Sequence, residues 1–214
     1  MNSDRIYSVL VPVLRSTVKS RMGAGRRRYF DAVPVPPGRV LFIGDSITEG
    51  GLWGDLFPEL ATSNRGIGGE ATYDLLERVD AAINAPVAVS LMIGTNDLHG
   101  PRRFRETAQI AARLEEIVRR IRDRAPAATL LVNPVLPRTA YFAPRIRELN
   151  ARYADAAARH GATYVDLWPR FAADDGAIRA EYARDNLHLT PAGYLAWAEE
   201  LRPHLAPFGA KEPA

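Results

Sequence analysis

In "LFIGDSITEG", residues 41–50, an apolar run ends in a glycine, an acid and then Ser46. Far along the chain, "DNLHLT" sets Asp185 and His188 three residues apart. A carboxylate at that interval can accept the Nδ1–H of the imidazole and leave Nε2 facing outward. An imidazole held so can take the proton of an attacking serine hydroxyl. The charge that would develop on an attacked carbonyl oxygen needs fixed donors. The glycine turn of "NRGIGGE" (64–70), the Asn96 side chain in "GTND" (94–97) and the N–H of Ser46 at a helix start are candidates.

Taken singly, each string has a plainer use. A serine between strand and helix caps orphan amides, and D-x-x-H can be a helix-opening turn with a surface histidine. Glycine turns and strand-end asparagines are ordinary. Ser46 is also not the α/β-hydrolase elbow, because Thr48 stands where that motif needs its second glycine.

What would position these groups is a series of alternating apolar runs and helical patterns. Strands are expected at 39–44, 62–64 (weak), 87–94, 128–134 and 163–167, and helices at 52–60, 71–83, 103–124, 144–160 and 191–205. On the helix over 103–124, Phe104, Ile110, Ala111, Leu114, Ile117, Val118 and Ile121 form the apolar stripe. Near-continuous apolar strands separated by helices imply a parallel sheet covered on both faces. In such sheets ligands bind beyond the carboxyl ends of the strands, where all four strings fall.

The 214 residues suit one α/β domain, and there is no cysteine to supply a disulfide, a thiolate or a cysteine metal site. The net charge of +3 and pI of 9.4 are misleading. Residues 1–30 hold seven Lys/Arg against Asp4, a charge of +6, and the remainder carries −3. The body therefore offers no basic groove for nucleic acid. Residues 1–38 read as a basic extension, with Ile6, Val9, Leu10, Val13, Leu14 and Val18 at helical spacing, and "VPVPPG" (33–38) as a stiff linker. The folded domain is expected over 39–208 and a tail over 209–214. "YSVLVPVL" lacks a cleavage site and is too short to span a bilayer, so the expected location is cytoplasmic. A peripheral membrane contact through residues 1–30 and a homodimer are the two associations the sequence leaves open.

The strings "GDSIT", "NRGIGG", "GTND" and "DNLH" stand in the order and approximate spacing of the SGNH (GDSL) hydrolases, and the stretch 39–205 resembles the compact bacterial esterases of that family similar to the platelet-activating-factor acetylhydrolase catalytic subunit. Ile47 replaces the leucine usual after the serine. The resemblance implies a three-layer α/β/α sandwich on a five-stranded parallel sheet of flavodoxin-like order. It implies Ser46 as nucleophile, His188 as base and then acid, and Asp185 as its orienter. Ser46 N–H, Gly69 N–H and Asn96 would be the oxyanion donors, with no cofactor and no metal. The expected reaction is hydrolysis of a small-molecule ester with a short acyl group, acetyl among them, through an acyl-enzyme. Ile47, Trp53, Leu98, His99 and Leu187 are expected to line a shallow cleft.

The alternatives within the same scaffold are a lysophospholipase or thioesterase, a carbohydrate O-deacetylase and an acyltransferase. A non-catalytic binding module of the same fold and a nucleotide-binding flavodoxin-like protein are rivals of another class. Asp45, Glu49, Asp97 and His99 have no recognisable metal-ligand spacing, and the two acids beside Ser46 and Asn96 are expected to fix loops by hydrogen bonding. His99 lacks a supporting carboxylate other than its neighbour Asp97, His160 reads as a helix C-terminus, and His204 as exposed.

Overall fold

The computed structural model describes residues 23–99 and 106–209. Five strands, β1 (Val40–Gly44), β2 (Thr62–Gly66), β3 (Ala88–Met92), β4 (Thr129–Val132) and β5 (Thr163–Tyr164), pair in parallel in the order 2-1-3-4-5. Period-2 alternation divides the core between two faces. Leu41, Ile43, Val89, Leu91, Leu130 and Val132 pack on one side against α4 (Thr72–Leu76), α5 (Val79–Ala82), α6 (Thr107–Arg124) and α7 (Ala143–Arg159). Val40, Phe42, Met92 and Leu131 meet α3 (Trp53–Leu56), α8 (Trp168–Phe171) and α9 (Pro191–Leu205) on the other. The three-layer sandwich follows from central strands, β1, β3 and β4, that are apolar at nearly every position and so need cover on both faces.

Helix α6 buries six of the stripe residues read from its sequence, Ile110 to Ile121. Phe104 and the start expected at 103 lie outside the described residues, as do the amphipathic segment 6–18 and residues 210–214. The single helix expected at 71–83 is broken at Glu77–Arg78, where the Arg78 guanidinium turns inward. The helix expected at 52–60 is only α3, because Phe57 precedes Pro58 and is held extended at φ −134°. The strand at 163–167 stops at Tyr164, since the Asp166 carboxylate accepts the Trp168 N–H and bends the chain into α8.

The sequence reading opens the domain at Arg39, yet residues 23–38 already pack against it. Helix α1 (Ala24–Ala32) lies beside the β2 loop, and Val35, inside the expected linker, is 2% exposed and gives its carbonyl to Asn84 Nδ2 at 2.7 Å. Among the described residues no helix is long and apolar enough to cross a membrane.

Candidate active site

Strand β1 ends at Gly44, and the short helix α2 (Ser46–Glu49) starts at once. Asp45 caps it by accepting the Ile47 N–H at 3.0 Å, and Tyr194 Oη on α9 donates to the Ile47 carbonyl at 2.9 Å. These bonds fix Ser46 at the strand tip, half-buried and facing the loop that precedes α9. Ser46 Oγ lies 3.1 Å from His188 Nε2, and His188 Nδ1 lies 2.7 Å from Asp185 Oδ2. Three groups separated by up to 142 residues in sequence thus form one hydrogen-bonded line.

The loop bearing His188 is shaped locally. Asp185 Oδ1 accepts the main-chain N–H groups of Leu187 (3.2 Å) and His188 (2.6 Å), while Asn186 adopts φ +58°, a left-handed turn open to asparagine. Arg184 N–H donates to the His188 carbonyl at 3.1 Å and closes the turn. Partial burial works against ionisation of Asp185, but the bonds from the His188 ring and main chain prevail and hold its carboxyl below the ordinary value.

Opposite Ser46 stands the glycine loop after β2. A methyl group on Gly68 would lie 3.8 Å from Ser46 Cβ, and one on Gly66 would run into the Glu49 main chain at 2.2 Å. Close approach of loop to helix therefore requires glycine at position 66. Gly69 needs it for another reason: its φ is +77°. Gly68 N–H is taken by Glu49 Oε2 at 2.5 Å, so Glu49 sets the loop's angle. Asn96, beyond β3, donates from Nδ2 to the Glu70 carbonyl at 2.9 Å, which ties its loop to the glycine loop.

Beneath these loops lies a buried polar network. Arg78 clasps both oxygens of Glu70 at 3.1 and 2.8 Å and reaches the Arg65 carbonyl at 2.9 Å. Asp97 accepts the Thr72 N–H at 2.9 Å, its hydroxyl at 2.6 Å, and Arg113 at 3.2 Å. Helix α1 braces the same region through Arg26 Nε to the Gly66 carbonyl (2.6 Å) and Arg27 to Glu70 (2.9 Å). Asp45 is fully enclosed, and burial, with the nearby Asp97 and Glu70 charges, pushes its carboxyl up to about 7. Burial also raises Asp97, against the bonds from Thr72 and Arg113. Both acids fix loops, as expected of them.

The cleft reading needs correction. Ile47 and Trp53 are each 2% exposed and Leu98 is 3% exposed, so none has surface to offer a ligand. Trp53 stacks on Phe42 at 4.0 Å with its indole N–H on the Thr48 carbonyl, a core role. Leu187 and His99 keep partial exposure, and His99 rests edge-on against Phe142 at 5.0 Å. His160 caps α7 as expected, whereas His204 is half-buried rather than exposed. The sequence reading passed over Glu70, Arg78 and Arg138, and weighed Glu49 only as a metal ligand. Arg138 lies beyond the carboxyl end of β4, so the filter that selected Ser46 and Asn96 could have found it.

The GDSL-like lipase/acylhydrolase family profile matches residues 42–196. The chain is 33% identical over 167 residues to platelet-activating factor acetylhydrolase IB subunit alpha1 of Pongo abelii, covering 72% of this chain and 70% of that protein. A Streptococcus pneumonia protein provisionally named a platelet activating factor has the same fold, with a TM-score of 0.77, 26% identity, and coverage of 96% of this chain and 100% of that one. Axe2, an acetylxylan esterase from Geobacillus stearothermophilus, shares the fold alone at TM-score 0.65 and 19% identity, over 84% of this chain and 98% of that one. The chain belongs to the GDSL-like lipase/acylhydrolase family of carboxylic ester hydrolases.

Proposed function

We propose that this chain hydrolyses small esters of short acyl groups by a two-step serine mechanism. The observation that carries the reading is the line from Ser46 Oγ through the His188 ring to Asp185, at 3.1 and 2.7 Å. Ser46 Oγ attacks the ester carbonyl carbon while its proton passes to His188 Nε2. Asp185, ionised beside the ring, stabilises the imidazolium and keeps Nε2 aimed at the serine. Ser46 N–H, Gly69 N–H and the Asn96 amide receive the developing oxyanion. Collapse of the tetrahedral intermediate expels the alcohol, which takes the proton from His188. Water then attacks the acyl-serine with His188 as base, the acid leaves, and the proton returns to Ser46.

A short acyl group is favoured because Ile47, Trp53 and Leu98 are sealed in the core and offer no surface to an acyl chain. The named activity of a relative, a platelet-activating factor acetylhydrolase, points the same way. A series of p-nitrophenyl esters from acetate to laurate tests this, with Ser46→Ala as control. Catalytic efficiency is expected to peak at the shortest chains and to vanish in the variant. A maximum at laurate would contradict the short-acyl reading.

A further inference from the structure

The β4–α7 connection carries Arg138, a guanidinium only 8% exposed. Its Nη1 donates to Thr95 Oγ1 at 3.2 Å, one residue before Asn96, and its Nε donates to the Asn186 carbonyl at 3.1 Å, between Asp185 and His188. The arginine is itself held in place. Its carbonyl accepts the Ile178 N–H at 2.7 Å, and its guanidinium lies 5.5 Å over the Phe142 ring. One planar cation thus joins the loop that bears a donor for the oxyanion to the loop that bears the base.

The physics of the two loops explains why such a bridge matters. Asn186 is left-handed, a conformation that asparagine tolerates but that still needs its surroundings to hold it. A charge-assisted bond to its carbonyl is among the stronger hydrogen bonds available to hold that peptide. The Asp185 and His188 side chains keep 46% and 32% of their surface exposed, so packing alone does little to fix them. A buried arginine is also costly unless satisfied, and a lysine in its place offers no rigid fork to reach two loops at once. Arg138 further sets a positive charge near buried Asp45, the cap of the serine helix.

We infer that Arg138 is a positioning residue that sets His188 and Asn96 at their working separation by bridging Thr95 Oγ1 and the Asn186 carbonyl. It touches no reacting atom. The inference rests on the serine reading above and adds to it a group outside the four sequence strings.

The test is a kinetic study of the full chain and of Arg138→Ala and Arg138→Lys on p-nitrophenyl acetate. Active sites are titrated with a fluorophosphonate, so that turnover is expressed per competent serine. In Arg138→Ala, kcat per titrated site is expected to fall about ten- to a hundredfold with KM within about threefold, the pattern for lost transition-state positioning. Added methylguanidinium, below denaturing concentration, is expected to restore part of that loss. Arg138→Lys keeps the buried charge but cannot bridge, and its kcat per site is expected to drop several-fold. It serves alone if the alanine variant does not fold. Wild-type kcat per titrated site in either folded variant would overturn the inference, because a structural role lowers the number of competent sites and not their rate. Failure of the unmutated chain to turn over would instead overturn the serine reading.

Discussion

The two sides of the site differ in how they are held. On the donor side, Glu70 and Asp97 are 2% and 0% exposed, and each is clasped by an arginine and by neighbouring loops. On the acid–base side, Asp185 and His188 sit in a turn that is partly open to water, shaped by its own hydrogen bonds and by Arg138. The proposed donors are braced by this buried network, at the expense of desolvating several charges. The acid–base pair keeps access to solvent, which the hydrolytic water requires. Damage to the first side should therefore appear as lost stability, and damage to the second as lost turnover.

The sharpest contrast should come from His188→Ala. Turnover is expected to fall on the order of 10⁶-fold, the scale of a lost triad base. The unfolding free energy should change by only about 1 kcal/mol, the scale of the hydrogen bonds its ring makes to Ser46 and Asp185. A large stability loss in urea titration would erase the distinction between the sides. Arg78→Ala is the converse. It leaves the buried Glu70 carboxylate to Arg27, and urea denaturation should show a loss of up to about 3–5 kcal/mol. A near-neutral result would mean that the network does not hold the donor loops.

Asn96→Ala sharpens the comparison where the sides meet. It removes a candidate oxyanion donor together with the bond to the Glu70 carbonyl. Turnover should fall about a hundredfold or more, and stability by about 1 kcal/mol. The smallest effect concerns two aspartates of opposite sign. Asp45 has its native carboxyl raised to about 7 by burial, so the folded state holds its proton where the unfolded chain has lost it. Stability is thus drained as pH rises from about 4 to about 7 and is level above that. Asp45→Asn mimics the protonated form and should gain on wild type progressively across that window. Asp185 has a lowered carboxyl, and its contribution is present above the unfolded value and fades as acid protonates it. Melting curves at stepped pH check both signs.

Much of this was legible in the sequence because it is local or periodic. The strand positions, the α6 stripe and the tight D-x-x-H turn follow from runs, spacing and hydrogen-bond reach. The serine, histidine and aspartate could be paired because strand order sends their loops to one rim. What escaped depends on burial, which a charge pattern does not reveal. Arg78 and Glu70 look like any surface pair eight residues apart, yet they meet in the core. Trp53 and Leu98 sit next to motif residues, but the chain turns them inward on Phe42 and on the α6 layer. Helix α1 carries three successive arginines that read only as part of a basic extension, whereas two of them grip the glycine loop.

The central claim is that the Ser46 hydroxyl, deprotonated by His188, is the group that attacks. The most direct measurement is mass spectrometry of the chain after brief exposure to a fluorophosphonate, with the adduct mapped to a peptide and its rate compared in His188→Ala. A single adduct on Ser46, formed at least a thousandfold more slowly in the variant, is expected. An adduct on another residue, or ester turnover that persists in Ser46→Ala, would contradict it.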